Sequence, residues 1–250
     1  MPYGLYISAE GAQAQSRRLD VISNNLANVD TVGFKRDLSV FQARYAEAID
    51  QGKATPGSGS INDLGGGVTV QEPRTDYSHG PLKTTGNSTD VALRREGFFQ
   101  VRDGQETYLT RAGNFCLTAR GELVTQDGLP VLNDTGSPIV LENPQMPWKI
   151  TTAGEVQQGG SSQRLAIVKP TSMGDLVKTG GNRFRALAST QPVLPADRDL
   201  ATGHLEMSGV EPTSELVEML QTSRYLEANL NMMQTQDRML NELFSQFLKA

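Results

Sequence analysis

The side chains able to do chemistry are few and badly spaced for it. His79 and His204 are the two histidines, and neither has a ligand-type partner four residues on, the spacing that lets one helix face hold zinc. Both lie in polar surroundings and read as exposed or capping histidines. Cys116 is the single cysteine, so it has no companion for a disulfide or a thiolate metal set, and its simplest reading is a small buried hydrophobe. Ser and Asp are common, but no Gly-x-Ser-x-Gly elbow places a serine as a nucleophile. Gly52-Lys53 lacks the preceding glycine and the following Ser or Thr of a phosphate-cradling loop. Glu122, Asp127 and Asp134 are the nearest thing to the paired carboxylates of a glycosidase. Each sits at a turn, where acidic residues are common anyway. The residues therefore predict no enzyme, no cofactor and no metal.

Composition narrows the partners. The formal net charge is −5 and the sequence pI about 5.2, against the basic surface that nucleic-acid binding needs. Arg17-Arg18 and Arg94-Arg95 are basic pairs and read as solvated faces. No apolar run approaches the ~18 residues of a membrane span, and Met1 to Arg18 lacks the basic start and apolar stretch of a secretory signal. The chain is expected to be cytoplasmic, or exported by a route that does not use that signal.

The elements around these residues are of three kinds. At the start, Leu5, Ala9, Ala12, Ser16, Leu19, Ser23 and Leu26 recur in steps of four and three, with Ile22 and Val29 broadening the stripe. Gly4 and Gly33 bracket this helix, and Gly33 is the expected stop. At the far end Leu216, Met219, Ser223, Leu226, Leu230, Met233, Asp237, Leu240, Phe244 and Phe247 repeat the pattern. That helix is expected to span ~45–50 Å, with Pro212 before it and Thr213 as N-cap. Two such helices bury their stripes against each other or against neighbouring subunits, at ~25 cal/mol per Å² of apolar surface. Their unequal lengths leave apolar surface for partners.

Gly52 to Gly67 reads as a flexible connection. From Gly86 to about Pro195 short β-type runs (98–101, 107–110, 115–118, 123–125, 139–141, 148–151 and 165–168) alternate with turn pairs such as Asp103-Gly104, Arg120-Gly121, Asp127-Gly128 and Gly180-Gly181. The predicted fold is mainly β with terminal α: a small all-β central domain inserted between N- and C-terminal amphipathic helices that pack as a coiled-coil-like pair. The expected boundaries are 1–35 for the first helix, 36–85 for an extended or flexible connector, 86–200 for the β-domain and 201–250 for a second connector and helix.

One segment exceeds what helix ending requires. Ser23-Asn24-Asn25-Leu26-Ala27-Asn28, continuing through Thr31-Val32-Gly33-Phe34-Lys35, puts three asparagines near a helix end, where one would suffice to cap it. This segment resembles the N-terminal signature of the flagellar basal-body rod and hook family. Thr85-Gly86-Asn87, Asp90 to Leu93, Gly97 to Val101, Tyr108 to Phe115 and Gly121 to Thr125 are similar to that family's central β-domain. Leu205-Glu206, Ser208 to Pro212, Glu215 to Met219, Ser223-Arg224 and Glu227 to Asn229 resemble its C-terminal signature, with Gly209 where the family usually has Asn, a departure expected to loosen the turn.

The resemblance implies a structural subunit exported by the flagellar type III apparatus without a cleaved signal. Such a subunit polymerises with itself and with other rod- and hook-family axial proteins into a hollow, periplasm-spanning rod in the basal body. The chain is shorter than hook-type members. Met219 to Arg224, Met232 to Thr235 and Gly136 to Ile139 lean toward members that build the proximal rod. Ile22 to Asn25 and Phe34 to Arg36 look more like the distal-rod members, which are the alternative. On this reading Leu19, Ile22, Leu26, Leu226, Leu230, Met233 and Leu240 form the inter-helix seam. Asn24, Asn25 and Asn28 carry polar bonds between subunits, and Gly33 breaks the helix. The competing reading from another class is a carbohydrate-binding or cell-wall-processing β-domain.

Overall fold

The computed structural model describes residues 3–45, 49, 51–53, 55, 57, 65–143 and 145–247. Residues 54, 56 and 58–64 of the predicted Gly-rich connection lie outside them. The chain forms two compact units. One combines Met1–Ala27, Asp37–Asp76 and Glu211–Ala250; the other combines Asn28–Arg36 with Tyr77–Val210.

The first unit is built on helices α1 (Tyr3–Ala27) and α2 (Pro212–Phe247). At 1.5 Å per residue α2 is ~54 Å long, about three turns longer than α1. Pro212 is itself the first helical residue rather than the residue before the cap, since its fixed φ suits the first turn. Ser214 donates to the Glu211 carboxylate at 2.9 Å, closing the turn that Thr213 was expected to cap. α1 ends at Ala27, six residues before Gly33. The helices run antiparallel: Gly4 lies against Gln236, Gly11 against Asn229, and Arg18 pairs with Glu218 at 3.4 Å. The two ends of the predicted connector are not free. Asp37–Leu38 pairs with Arg74–Thr75, and Phe41–Ala43 with Val68–Val70, both antiparallel.

The second unit is mainly β, with two short 3-10 turns at Met173–Asp175 and Pro195–Asp197. Its main sheet is antiparallel, in the spatial order Leu176–Gly180, Arg183–Ala186, Glu106–Thr110, Phe98–Asp103, Ile167–Pro170, Thr190–Pro192. A three-stranded sheet (Trp148–Ile150, Glu155–Gln158, Ser161–Arg164) and short strand pairs complete it. Because strand side chains alternate, Phe98 and Phe99 enter different cores. Phe99 joins Val91, Val101, Phe115, Ile139 and Leu165; Phe98 joins Leu109, Val168, Leu176 and Phe184. Phe99 and Phe115 meet edge to face, with centroids 5.2 Å apart. The predicted strand at 139–141 forms only isolated bridges, though Ile139 and Leu141 are buried as expected. Cys116 is half-buried rather than buried, with the Gln126 amide 3.1 Å from its Sγ.

Candidate assembly surface and its anchoring cluster

The helical unit buries mainly small and polar groups and leaves many large apolar ones exposed. Ser8, Ala12, Ala14, Ile22 and Asn25 are buried on α1, with Glu215 and Thr222 on α2. The Gly4 and Gly11 contacts explain this. A Cβ at Gly4 would stand 2.8 Å from the Gln236 amide, and one at Gly11 would stand 3.2 Å from that of Asn229. The inward face of α2 is therefore turned toward Thr222, Asn229 and Gln236. On its flanks Leu216, Val217, Leu220, Tyr225, Met232, Met239, Leu243 and Phe244 are exposed, Phe244 at 65%.

The predicted assembly residues divide accordingly. Ile22 is buried, while Leu19, Leu26, Leu226, Met233 and Leu240 are half-buried. Leu230 is 43% exposed and lies on an outer flank. Ser16 and Ser23 of the predicted α1 stripe are exposed. Asn24 is exposed. Asn25 is buried, donates its amide to the Asp37 carbonyl and accepts from the Asp37 N–H, both at 2.9 Å. The structure thus gives Asn25 an intrachain role, locking the start of the strand arm to α1. Asn28 accepts from the Thr31 hydroxyl at 3.2 Å in the turn beyond α1.

Gly33 has φ +67°, and a Cβ there would stand 2.6 Å from the backbone of Arg111. Its role is close approach of two backbones rather than helix termination. Its N–H donates to the Glu206 carbonyl at 2.7 Å. Gly209 donates from its backbone to the Phe34 carbonyl at 3.1 Å, a bond that any non-proline residue could make.

Beside Gly33 lies a charged cluster that the sequence did not reveal. The Lys35 ammonium donates to Glu206 Oε1 at 2.6 Å, with both side chains 1% exposed. Arg111 Nε lies 3.0 Å from Glu206 Oε2, and its other donors reach the carbonyls of Arg95 and Gly97. Burial pulls the Arg111 pKa below its ordinary value, while the charges of Glu206 and Glu96 push back. Buried charges persist only when paired and hydrogen-bonded in this way. The cluster therefore holds the β unit's first segment, Asn28–Arg36, to its last strand. Lys178 adds a bond to the Lys35 carbonyl at 2.5 Å and stacks over the Phe34 ring at 4.4 Å.

Asp134 pairs with Arg198 at 2.9 Å, and the backbone of Glu122 bridges to Val140. Among the described residues no group of three His, Cys, Asp or Glu side chains could hold a metal, and no helix is long and apolar enough to cross a membrane.

Comparison with known proteins follows the same layout. Residues 5–35 match the family described as flagella basal body rod protein. Residues 92–158 match the flagellar hook protein FlgE/F/G D1 domain, and residues 201–245 the flagellar basal body rod FlgEFG protein C-terminal family. The chain is 34% identical to the flagellar basal-body rod protein FlgG of Bacillus subtilis, over 96% of this chain and 97% of the relative. It is 34% identical to FlgF of Caulobacter vibrioides, over 93% of each chain, and 35% identical to FlgG of Buchnera aphidicola subsp. Schizaphis graminum, over 96% and 97%.

Proposed function

Since the chain belongs to the flagellar basal-body rod protein family, we propose that it assembles into the rod through the outer flanks of α2, with α1 and α2 acting as a coiled-coil-like pair within each subunit. The observation that carries this is the set of large apolar side chains left exposed on both flanks of one helix, Leu216, Leu220, Leu230, Met232, Met239, Leu243 and Phe244 among them. A monomer gains nothing from exposing them, and neighbouring copies that cover them recover ~25 cal/mol per Å². The seven-residue step from Gly4 to Gly11, matched by Asn229 to Gln236, is the repeat of a coiled-coil seam. Its glycines and amides supply little apolar burial and its leucines and methionines are only half-buried, so the pair relies on neighbours for the rest. Head-to-tail copies whose contacts do not close give an open helical filament.

In this reading Leu19, Ile22, Leu26, Leu226, Met233 and Leu240 form the seam, and Leu230 faces a neighbour. The partners are further copies and other axial proteins of the flagellum. The subunit is a building material rather than an enzyme. It reaches the periplasm-spanning rod through the flagellar type III export apparatus without a cleaved signal peptide, and its helices order fully on joining the polymer. We place it in the proximal rod, with the distal rod as the alternative. Replacing Leu230 by Asp is expected to leave a soluble β unit and abolish polymerisation, read by electron microscopy of isolated basal bodies and by loss of motility. Normal rods built from the Leu230→Asp chain would remove this assignment.

A further inference from the structure

We propose that His79 is a proton-operated release for the clasp built by Lys35, Arg111 and Glu206, so that the segment at residues 78–80 is held down in neutral medium and loosens in acid. The geometry lies in three consecutive residues, each tied to a different member of the clasp. The Ser78 carbonyl accepts from the Lys35 ammonium at 2.6 Å. The His79 Nδ1 lies 2.5 Å from a terminal nitrogen of Arg111. The Gly80 N–H donates to Glu206 Oε1 at 3.1 Å. Only a glycine fits at position 80, since a Cβ there would stand 2.1 Å from the Met207 carbonyl oxygen.

The middle tie is the one that a proton can cut. A guanidinium has donors only, so the contact exists only while Nδ1 of His79 is an acceptor. The neutral ring must therefore carry its proton on Nε2. A proton on Nδ1 turns the bond into two donors face to face and sets a second positive charge against Arg111. The charged groups around the ring are Arg111 and Lys35, which oppose its protonation, and Glu206 and Glu96, which favour it. His79 also lines a cleft of about 640 Å³ with Arg95, Glu96, Lys169 and Asp197. Glu96 and Lys169 pair with each other across that cleft. His79 stays partly open to solvent, so water and protons reach it without unfolding the unit.

The sign follows from which state takes the proton first. Burial, then the Arg111 charge, holds the His79 pKa below its ordinary 6.5. The loosened segment, with an ordinary histidine, protonates at higher pH than the clasped one. The clasp is thus fully favoured above pH 6.5 and weakens as pH falls below it, by up to about tenfold per pH unit until the clasped form also titrates. His204 is the internal control, because its Nδ1 faces the Thr202 carbonyl at 2.8 Å. That bond needs a proton on Nδ1 and survives protonation of the ring.

The test is amide hydrogen exchange on the full chain at pH 7.5 and 5.5, corrected for intrinsic rates and read by segment. The wild type is expected to lose protection several-fold at 78–80 and 33–35 in acid, while strands 98–103 and 106–110 keep theirs. His79→Asn places a non-titrating acceptor as many bonds from the backbone as Nδ1 and is expected to hold protection at both pH values. His204→Asn should behave as wild type. Equal acid loss in His79→Asn, or no loss in wild type, overturns the proposal. Ring ¹⁵N spectra of the wild type decide it independently should His79→Asn fold poorly: the Nε2–H tautomer at neutral pH is required, and an Nδ1–H tautomer ends the idea.

Discussion

The two units solve the burial problem in opposite ways. In the β unit large apolar side chains fill the interior: Phe99, Val101, Ile139, Leu165 and Phe184 are all at 0% exposure. In the helical unit the buried positions are held mainly by small or polar residues, Ser8, Ala12, Ala14, Asn25, Glu215 and Thr222, with Ile22 the large apolar exception, while Leu220 and Phe244 stand 62% and 65% exposed. A core of the first kind supports itself, since burying one large side chain supplies ~1.5–3 kcal/mol. A seam of small residues and amides, with leucines and methionines only half-buried beside them, leaves much apolar surface for other chains. The difference teaches that one chain can carry a finished domain and an unfinished one, and that the unfinished one is where assembly is expected.

The sharpest way to break this comparison is inside the β core. Phe99→Ala removes a ring that packs edge-on against Phe115. It is expected to cost about 3–5 kcal/mol, a large share of the roughly 5–15 kcal/mol that holds a domain folded. Trp148 is the sole tryptophan and packs on this core, so its fluorescence during urea unfolding reads the loss directly. A shift of less than about 1 kcal/mol would mean that the β core is looser than its burial implies.

A smaller loss is expected at the backbone crossing. Gly33→Ala puts a side chain at φ +67° and a Cβ within 2.6 Å of the Arg111 backbone. The left-handed conformation alone costs ~1–2 kcal/mol, and the contact adds to it because backbone on both sides cannot swing away. The same Trp148 unfolding curve measures this. A neutral result would show that the segment before Lys35 can shift without disturbing the Lys35–Glu206 pair, and that the glycine serves some other end.

Much of this division could be read in the sequence, and the rest could not for definite reasons. The terminal helices followed from 3.6-residue periodicity. The hairpin turns at Gly104, Gly121, Gly128 and Gly180 followed from turn chemistry, and all four glycines have positive φ. Both signals are local. The rotation of the α2 stripe away from Leu216 and Leu230 toward Thr222 and Asn229 was not legible, because it depends on the opposite helix presenting Gly4 and Gly11. The Lys35–Glu206 pair joins residues 171 positions apart, and an isolated lysine and glutamate carry no periodic signature. The only hint lay in where they stand. Lys35, Arg111 and Glu206 each fall within a stretch that carries the family resemblance, and those stretches turn out to hold the β unit's segments together.

The smallest expected effect is the most discriminating. Leu220→Ala trims a side chain that is 62% exposed and replaces it with the best helix former. Monomer stability should stay within about 0.5 kcal/mol of wild type, read by thermal circular dichroism of the helical signal. Polymer stability should nevertheless fall, because a leucine covered by a neighbour loses ~2 kcal/mol per subunit when trimmed, and sedimentation of assembled material against concentration would show it. Both halves are needed. A variant that melts early would give the helical unit a core of its own, erasing the contrast with the β unit. A variant that assembles as well as wild type would move the contact surface off this flank of α2, toward Met232, Met239 and Leu243 on the other side of the intrachain seam.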